Sequence, residues 1–343
     1  MTGPGKFWAC LAQASLGVCL VSASARAVDA GAAASAGPTV PPGSLDGREI
    51  IVPIPGAERL RIDNPLGNIT VKAWGRVETM HIVADKQSSS PEALARLRVH
   101  FIAWAGGEIS IEVRVDAGGR ERALPLSASR VDLTIEVPSE LGIEAKTFGG
   151  DLAVSGLRAG ARLETTAGRI AISDVHGRVS THQLRGGQKV VAVEGDVDLD
   201  GVEGHMQLDR LAGTRVEARV VDGDIQADDV RSDVVRLSAT TGAVVLVGLL
   251  RPHAHYDLRS YSGEVRLSVA GAPAGFELRT RSPVPVKSSM ALTTLWQKGD
   301  RARSVTPPAR SDLTSPPGRP IVELSSVLGR VVIESAHLVD RLQ

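Results

Sequence analysis

The sequence predicts a mainly all-β fold: a β-solenoid, a parallel β-helix-like stack of short glycine-cornered arms, with a small N-terminal β-rich part holding one short helix. Three observations carry this. Glycines fall at 150, 160, 168, 177, 186, 195, 204, 213, 223, 242 and 263, mostly nine or ten residues apart. Apolar residues return at fixed offsets after them: Leu152, Val154 and Leu157; Ile170, Ile172 and Val175; Val197, Leu199 and Val202; Met206, Leu208 and Leu211; Ile225, Ala227 and Val230; Val244, Leu246 and Leu249. Aromatics make up only 3% of the chain while hydrophobic residues reach 43%, so the core is built from aliphatic side chains. Such arms cannot bury an apolar face alone and must stack on neighbours. Two arms per turn give a coil of roughly 18 to 20 residues and three give roughly 27, and the spacing accommodates both.

Taken in order, the elements begin with Lys6, an apolar run from Phe7 to Val21, and Ala25-Arg26-Ala27, the pattern of a secretory signal peptide over residues 1–27. Both cysteines, Cys10 and Cys19, lie inside it, so cleavage after Ala27 leaves a chain without disulfides or thiolate ligands. A lipid anchor at Cys19 is disfavoured by Val18, where such signals want a small residue. No later segment is long and apolar enough to span a bilayer as a helix. Residues 28–46, rich in Ala, Gly, Pro and Ser, read as a flexible leader.

Residues 47–120 read as a β-rich subdomain, with strands in REIIVPIP, ERLRIDN, NITVKAW, ETMHIVADK and EISIEVRV. Between the last two, SPEALARLRVHF predicts a short helix near 91–101, with Ser90 as N-cap, Pro91 at the first position and Glu92 in the first turn. Leu94, Leu97 and Phe101 would share its face. The solenoid repeats occupy 121–280. Residues 281–320, crowded with Pro and Ser, read as a long loop or partly disordered insertion. The repeat returns in 321–343, where Val331 and Ile333 follow Gly329, as a terminal strand pair closing the solenoid.

LRIDNPLGNITVKAW, VDLTIEVPSELGIEAKTFGGDLAVSGL and the Gly-Asp-apolar-x-apolar arms at Gly150, Gly195 and Gly223 resemble the bacterial putative-adhesin family, a domain of unknown function, over roughly residues 58 to 335. The resemblance implies an exported or envelope-associated β-solenoid and supplies no catalytic residues. The proline-rich segment at 281–320 departs from the family pattern.

The chemical candidates are few. Asp196, Asp198 and Asp200 precede a glycine like the start of an EF-hand loop, but its twelfth position is Gln207 and its eighth is Glu203, and no helical pattern flanks it. They read as the solvent face of an arm and are kept only as a weak calcium candidate, which Asp224 and Asp228 would reinforce if their arm stacked nearby. His253, His255 and Asp257 alternate on one face without a distant further ligand. Asp228-Asp229 is the best carboxylate pair for glycoside hydrolysis. The Asn-Thr-Asp, Gly-His-Gly and Arg-Ile-Lys motifs of polygalacturonase-like enzymes are absent from the sequence.

Lys plus Arg and Asp plus Glu are both 39, so the basic surplus of a nucleic-acid binder is missing. Mixed charge one position after the corner glycines, at Asp151, Arg169, Asp196, Asp224 and Glu264, predicts a soluble outer face without a greasy interface. The expectation is an exported, non-enzymatic solenoid without cofactor or catalytic residues, periplasmic, on the cell surface or extracellular. It would meet a protein or glycan partner in the envelope or outside the cell. A carbohydrate-active enzyme using carboxylates near Asp228, and a structural component of an envelope signalling complex, are the alternatives.

Overall fold

The computed structural model describes residues 43–44, 49–75, 78–104, 106–116, 129–272, 275–306 and 318–336. The expected signal peptide, and the leader apart from 43–44, lie outside the described residues. Strands pair in parallel at a step of two arms. Leu152 lies beside Ile170, Ile170 beside Gln188 and Gln188 beside Met206. The intervening arms form a second ladder, with Ala161 beside Val179, Val179 beside Val197 and Val197 beside Val216. One turn is therefore two arms. It takes 18 residues from Asp151 to Arg169 and 19 from Asp224 to Ala243. The inward side chains of the two sheets merge into one apolar core running from Val52 to Ile333.

The two sheets differ by one residue per arm. In the first, Asp174, Ala192, Arg210 and Asp229 form a column of left-handed residues with φ between 50° and 54°. Both ladders pass over one residue per arm, but only here is that residue left-handed: Ser173 pairs with Val191 and Val175 with Val193, with Asp174 and Ala192 bulged between them. The extra residue restores the inward direction one position late. That is why Val175, Val193, Leu211 and Val230 are buried. In the second sheet Val179, Thr181 and Gln183 alternate inward with no left-handed residue, and the ladder passes over Leu184 and Val202 only after them. The sequence pattern treats all arms alike and misplaces two residues. Val202, on the regular sheet, is only half-buried and Gly201 takes the inward position. After Gly242 the register shifts between Gly248 and Leu249, so Leu249 is exposed and Leu250 is buried.

One corner is a column of glycines from Gly150 to Gly329. A Cβ on Gly204 would overlap the carbonyl oxygen of Gly186, and one on Gly186 would overlap that of Gly168. With φ of +137° at Gly204, both space and backbone exclude other residues. The carbonyls of this column are answered from inside the regular sheet. Thr147 donates to Gly67 O at 3.0 Å, Ser260 to Gly242 O at 2.8 Å and Ser326 to Gly263 O at 2.9 Å. Buried polar side chains thus satisfy backbone groups that tight stacking hides from water.

At the N-terminal end the helix is Pro91–Arg96, capped by Ser90 Oγ, which accepts from Ala93 N at 3.1 Å. It stops earlier than expected. LRVHFIAW alternates and is rich in residues that favour strands, and Leu97–Trp104 pairs antiparallel with Glu108–Val115. Leu97 and Phe101 are buried as strand residues while Leu94 is exposed. The expected boundary at residue 120 does not divide the sheets. Ile69–Trp74 joins Leu152–Ser155 in the bulged sheet, and Arg59–Asp63 joins Gly142–Gly149 in the regular one.

The C-terminal end also departs from the expectation. Ile321–Ser326 lies between His255–Ser260 and Glu277–Arg281, so the returning chain is inserted inside the stack rather than closing it. The outer edge is formed from the segment read as a loop. Thr293–Lys298 and Arg301–Val305 form a hairpin that pairs with Glu277–Arg281. Thr293, Thr294, Leu295 and Trp296 favour extended backbone, and Gly299, at φ 59°, supplies the turn. Residues 307–317, the most proline-rich part, lie outside the described residues.

Candidate functional site

The Gly-Asp motif has a structural use. Asp151 Oδ1 accepts the backbone N–H of Arg169 at 2.7 Å, Asp196 Oδ1 that of Arg215 at 3.0 Å and Asp224 Oδ1 that of Ala243 at 2.7 Å. Each aspartate clips its own corner to the next turn. The calcium candidate is therefore divided. Asp196 holds a corner, while Asp198 and Asp200 face outward within 4.0 and 3.3 Å of Arg219. Beside them Glu217 is buried between Arg215 and Arg219, both hydrogen-bonded to it. Burial pushes its carboxyl up, but the two guanidiniums outweigh this and hold it below the usual carboxylate range. Among the described residues no three His, Cys, Asp or Glu side chains gather as a metal set. Asp224 and Asp228 belong to the bulged sheet and Asp198 and Asp200 to the regular one, so the two arms do not stack as the sequence reading allowed.

Of the carboxylate pair, Asp229 occupies a bulge position and is held by Arg231 at 2.9 and 3.0 Å, while Asp228 accepts from Gln226 at 3.1 Å. His253 takes no part with His255 in a ligand set. Its Nε2 accepts the N–H of Gly318 at 3.2 Å, and its own N–H donates to Gly318 O at 2.9 Å, tying the returning chain to the corner it re-enters. Asp257 is spent on Arg259 at 2.6 Å.

The feature that sequence reading missed is an apolar row on the outer face of the regular sheet. Phe148 is 68% exposed, Leu184 48%, Val221 49%, Tyr261 53% and Val327 41%. All stand two residues before a glycine of the corner column, and Thr166, Val202 and Thr240 fill the same place in the turns between. Eight consecutive strands thus carry this row, about 34 Å long at about 4.8 Å per strand, with threonine at two of its positions. A mixed-charge face was expected; charge does occur after the glycines and directly before them at Arg185, Glu203 and Asp222, but two positions before them the face is largely apolar. The signal was present in FGG, LRG, VDG, YSG and VLG. Reading forward from each glycine passed over it.

Known proteins were compared with this geometry. The family model for Toastrack DUF4097 matches residues 35–284, well over half of the chain. The chain belongs to the Toastrack DUF4097 family. Three solved structures are similar at low identity. A putative cell adhesion protein of Clostridium sporogenes is 11% identical, covers 84% of this chain and 99% of its own, and has a TM-score of 0.22. A putative adhesin of Bacteroides fragilis is 15% identical, with 84% and 96% covered and a TM-score of 0.32. A putative adhesin of Parabacteroides merdae is 10% identical, with 64% and 91% covered and a TM-score of 0.27. No curated protein matches the sequence. The Toastrack family match spans the repeats, but it ends before the hairpin at 293–305. No helix among the described residues is long and apolar enough to cross a membrane.

Proposed function

We propose that this Toastrack chain is an exported, non-enzymatic solenoid that binds or scaffolds a partner in the cell envelope or outside the cell, through the outer face of its regular sheet. The apolar row from Phe148 to Val327 supports this reading, because large apolar side chains exposed in register on one face of a folded protein mark a contact site. Its regular pitch suits an extended partner that repeats its contact from strand to strand. Of the carboxylate pair that an enzyme would use, Asp229 is bound by Arg231 and Asp228 accepts from Gln226.

The test is a screen of the chain against glycans and matrix proteins, run beside the double variant Leu184→Lys with Val221→Lys. These side chains are exposed, so the variant should melt within a few degrees of the parent. A binder found with the parent should weaken at least about tenfold in the variant. Binding that ignores the variant removes the row from the function, and silence throughout favours a scaffold inside an envelope complex. Cell fractionation that finds the chain in the cytoplasm with residues 1–27 intact would overturn export.

A further inference from the structure

At the C-terminal end of the same face, five arginines line a groove of about 520 Å³: Arg259, Arg279, Arg281, Arg301 and Arg303. Trp296 lines it too, half-exposed at 50%. The ladder sorts the outward side chains into two rows across the strands. One row runs Asp257, Glu323, Arg279, Arg303, Trp296. The next runs Arg259, Ser325, Arg281, Arg301, Lys298 and contains no acid. This cationic row crosses five strands, about 19 Å at about 4.8 Å each.

The row is costly for the fold alone. Arg281 stands directly opposite Arg301, Arg301 opposite Lys298, and in the neighbouring row Arg279 opposite Arg303. Like charges in cross-strand pairs destabilise a sheet. The acids nearby relieve only part of it. Glu277 accepts from Arg279 and Arg303, each at 2.9 Å, Glu323 accepts from Arg279 at 3.0 Å, and Asp300 accepts from Arg281 at 2.9 Å. Asp257 accepts from Arg259 at 2.6 Å, and Asp300 is held below the usual carboxylate range by Arg281 and, more weakly, by Arg301; Lys298 is in none of these pairs. Local rules broken in a concave, half-aromatic place point to a ligand that supplies the missing charge.

We infer that this groove binds a linear polysaccharide carrying carboxylates. Guanidiniums in a row match planar carboxylates spaced along a chain, because the fork of each can donate two parallel hydrogen bonds. Trp296 offers a flat apolar face for one sugar ring, and Ser325 a hydroxyl between Arg259 and Arg281. A duplex nucleic acid fits less well, since its bases are stacked within the helix and offer Trp296 no free ring face. The inference deepens the surface-binding reading and rests on it, but it uses residues distinct from the apolar row.

Binding is measured on the full chain with fluorescently labelled oligogalacturonate, its methyl ester and a short DNA duplex. The expected result is binding to the acid form and none to the ester. Arg281→Ala with Arg301→Ala should weaken it about tenfold or more, and Trp296→Ala severalfold. Should the double variant not fold, Arg301→Glu carries the same expectation from an exposed position. Leu184→Lys with Val221→Lys should leave this binding unchanged, so failure of the groove and failure of the apolar row are read separately. No binding of the acid form, binding indifferent to the arginine variants, or DNA bound as tightly as the glycan would overturn the inference.

Discussion

The bulged and the regular sheet are built from arms with the same glycine rhythm, yet one spends an extra residue per arm in the left-handed region and the other does not. In the bulged sheet the extra residue turns a third aliphatic side chain inward, at Val175, Val193, Leu211 and Val230, and the inward positions of its arms are apolar except at Gln188, which bonds Thr181 and Asp200 O across the core. In the regular sheet strict alternation puts Thr165, Gln183, Ser260 or Ser326 at the inward end of the arm, where they bond the corner glycines. The same parity sends Phe148, Leu184, Val221 and Tyr261 outward. A single bulge column thus separates the sheet that only builds the core from the sheet that also presents a surface.

The corner glycines are common to both sheets, so breaking one should harm both. Gly204→Ala places a Cβ against the backbone carbonyl of Gly186, which is itself locked beneath another glycine. Neither backbone can yield without shifting a whole turn. A loss of about 4 kcal/mol or more in unfolding free energy is expected, among the largest for any single change. Denaturant unfolding checks this, and a loss below about 1 kcal/mol would show that the column is softer than its stacking implies.

A smaller effect should distinguish the sheets. Ser260→Ala removes the hydroxyl that donates to Gly242 O at 2.8 Å and accepts the N–H of Gly263 at 2.8 Å. Two buried backbone groups would be left without partners, costing about 1–3 kcal/mol. Val230→Thr in the bulged sheet is the converse, placing a hydroxyl where no corner carbonyl waits. If Ser260→Ala proves neutral, the inward polar column is incidental rather than a support for the glycines.

The repeat was legible because stacking forces glycine and aliphatic residues to recur, and both have strong local reasons. The arms after Gly168, Gly204 and Gly223 were read residue for residue. The number of arms per turn was not legible, because both sheets share the rhythm and only the position of the third inward residue separates them. Val202 was misplaced for that reason, and Leu249 because the register shifts at Gly248. The hairpin at 293–305 was hidden by the prolines on either side of it, and the insertion of Ile321–Ser326 between earlier strands leaves no local trace. For the surface, Asp196, Asp198 and Asp200 drew notice by composition, while the apolar row and the arginine rows exist only once the register is known. Arg281 and Arg301 look ordinary in sequence and become informative when paired across strands.

The smallest expected effect tests the bulge column itself. Ala192 holds φ 54° between Asp174 and Arg210, which hold the same conformation in the turns on either side. A left-handed conformation costs a non-glycine residue about 1–2 kcal/mol, and glycine there escapes that cost but loses about 0.5–1 kcal/mol to the freedom of the unfolded chain. Ala192→Gly should therefore stabilise the fold slightly, by about 0.5 kcal/mol, whereas Ala167→Gly on the regular sheet should destabilise it. Gly248 lies beside the backbone of Asp229 in the next turn, but at φ 156° it has left the conformation of the column. Thermal unfolding of the two variants side by side gives the sign for each sheet. Opposite signs confirm that the left-handed residue separates the two kinds of arm; destabilisation by both would mean that the bulge is imposed by packing at Val193 and carries no backbone strain of its own.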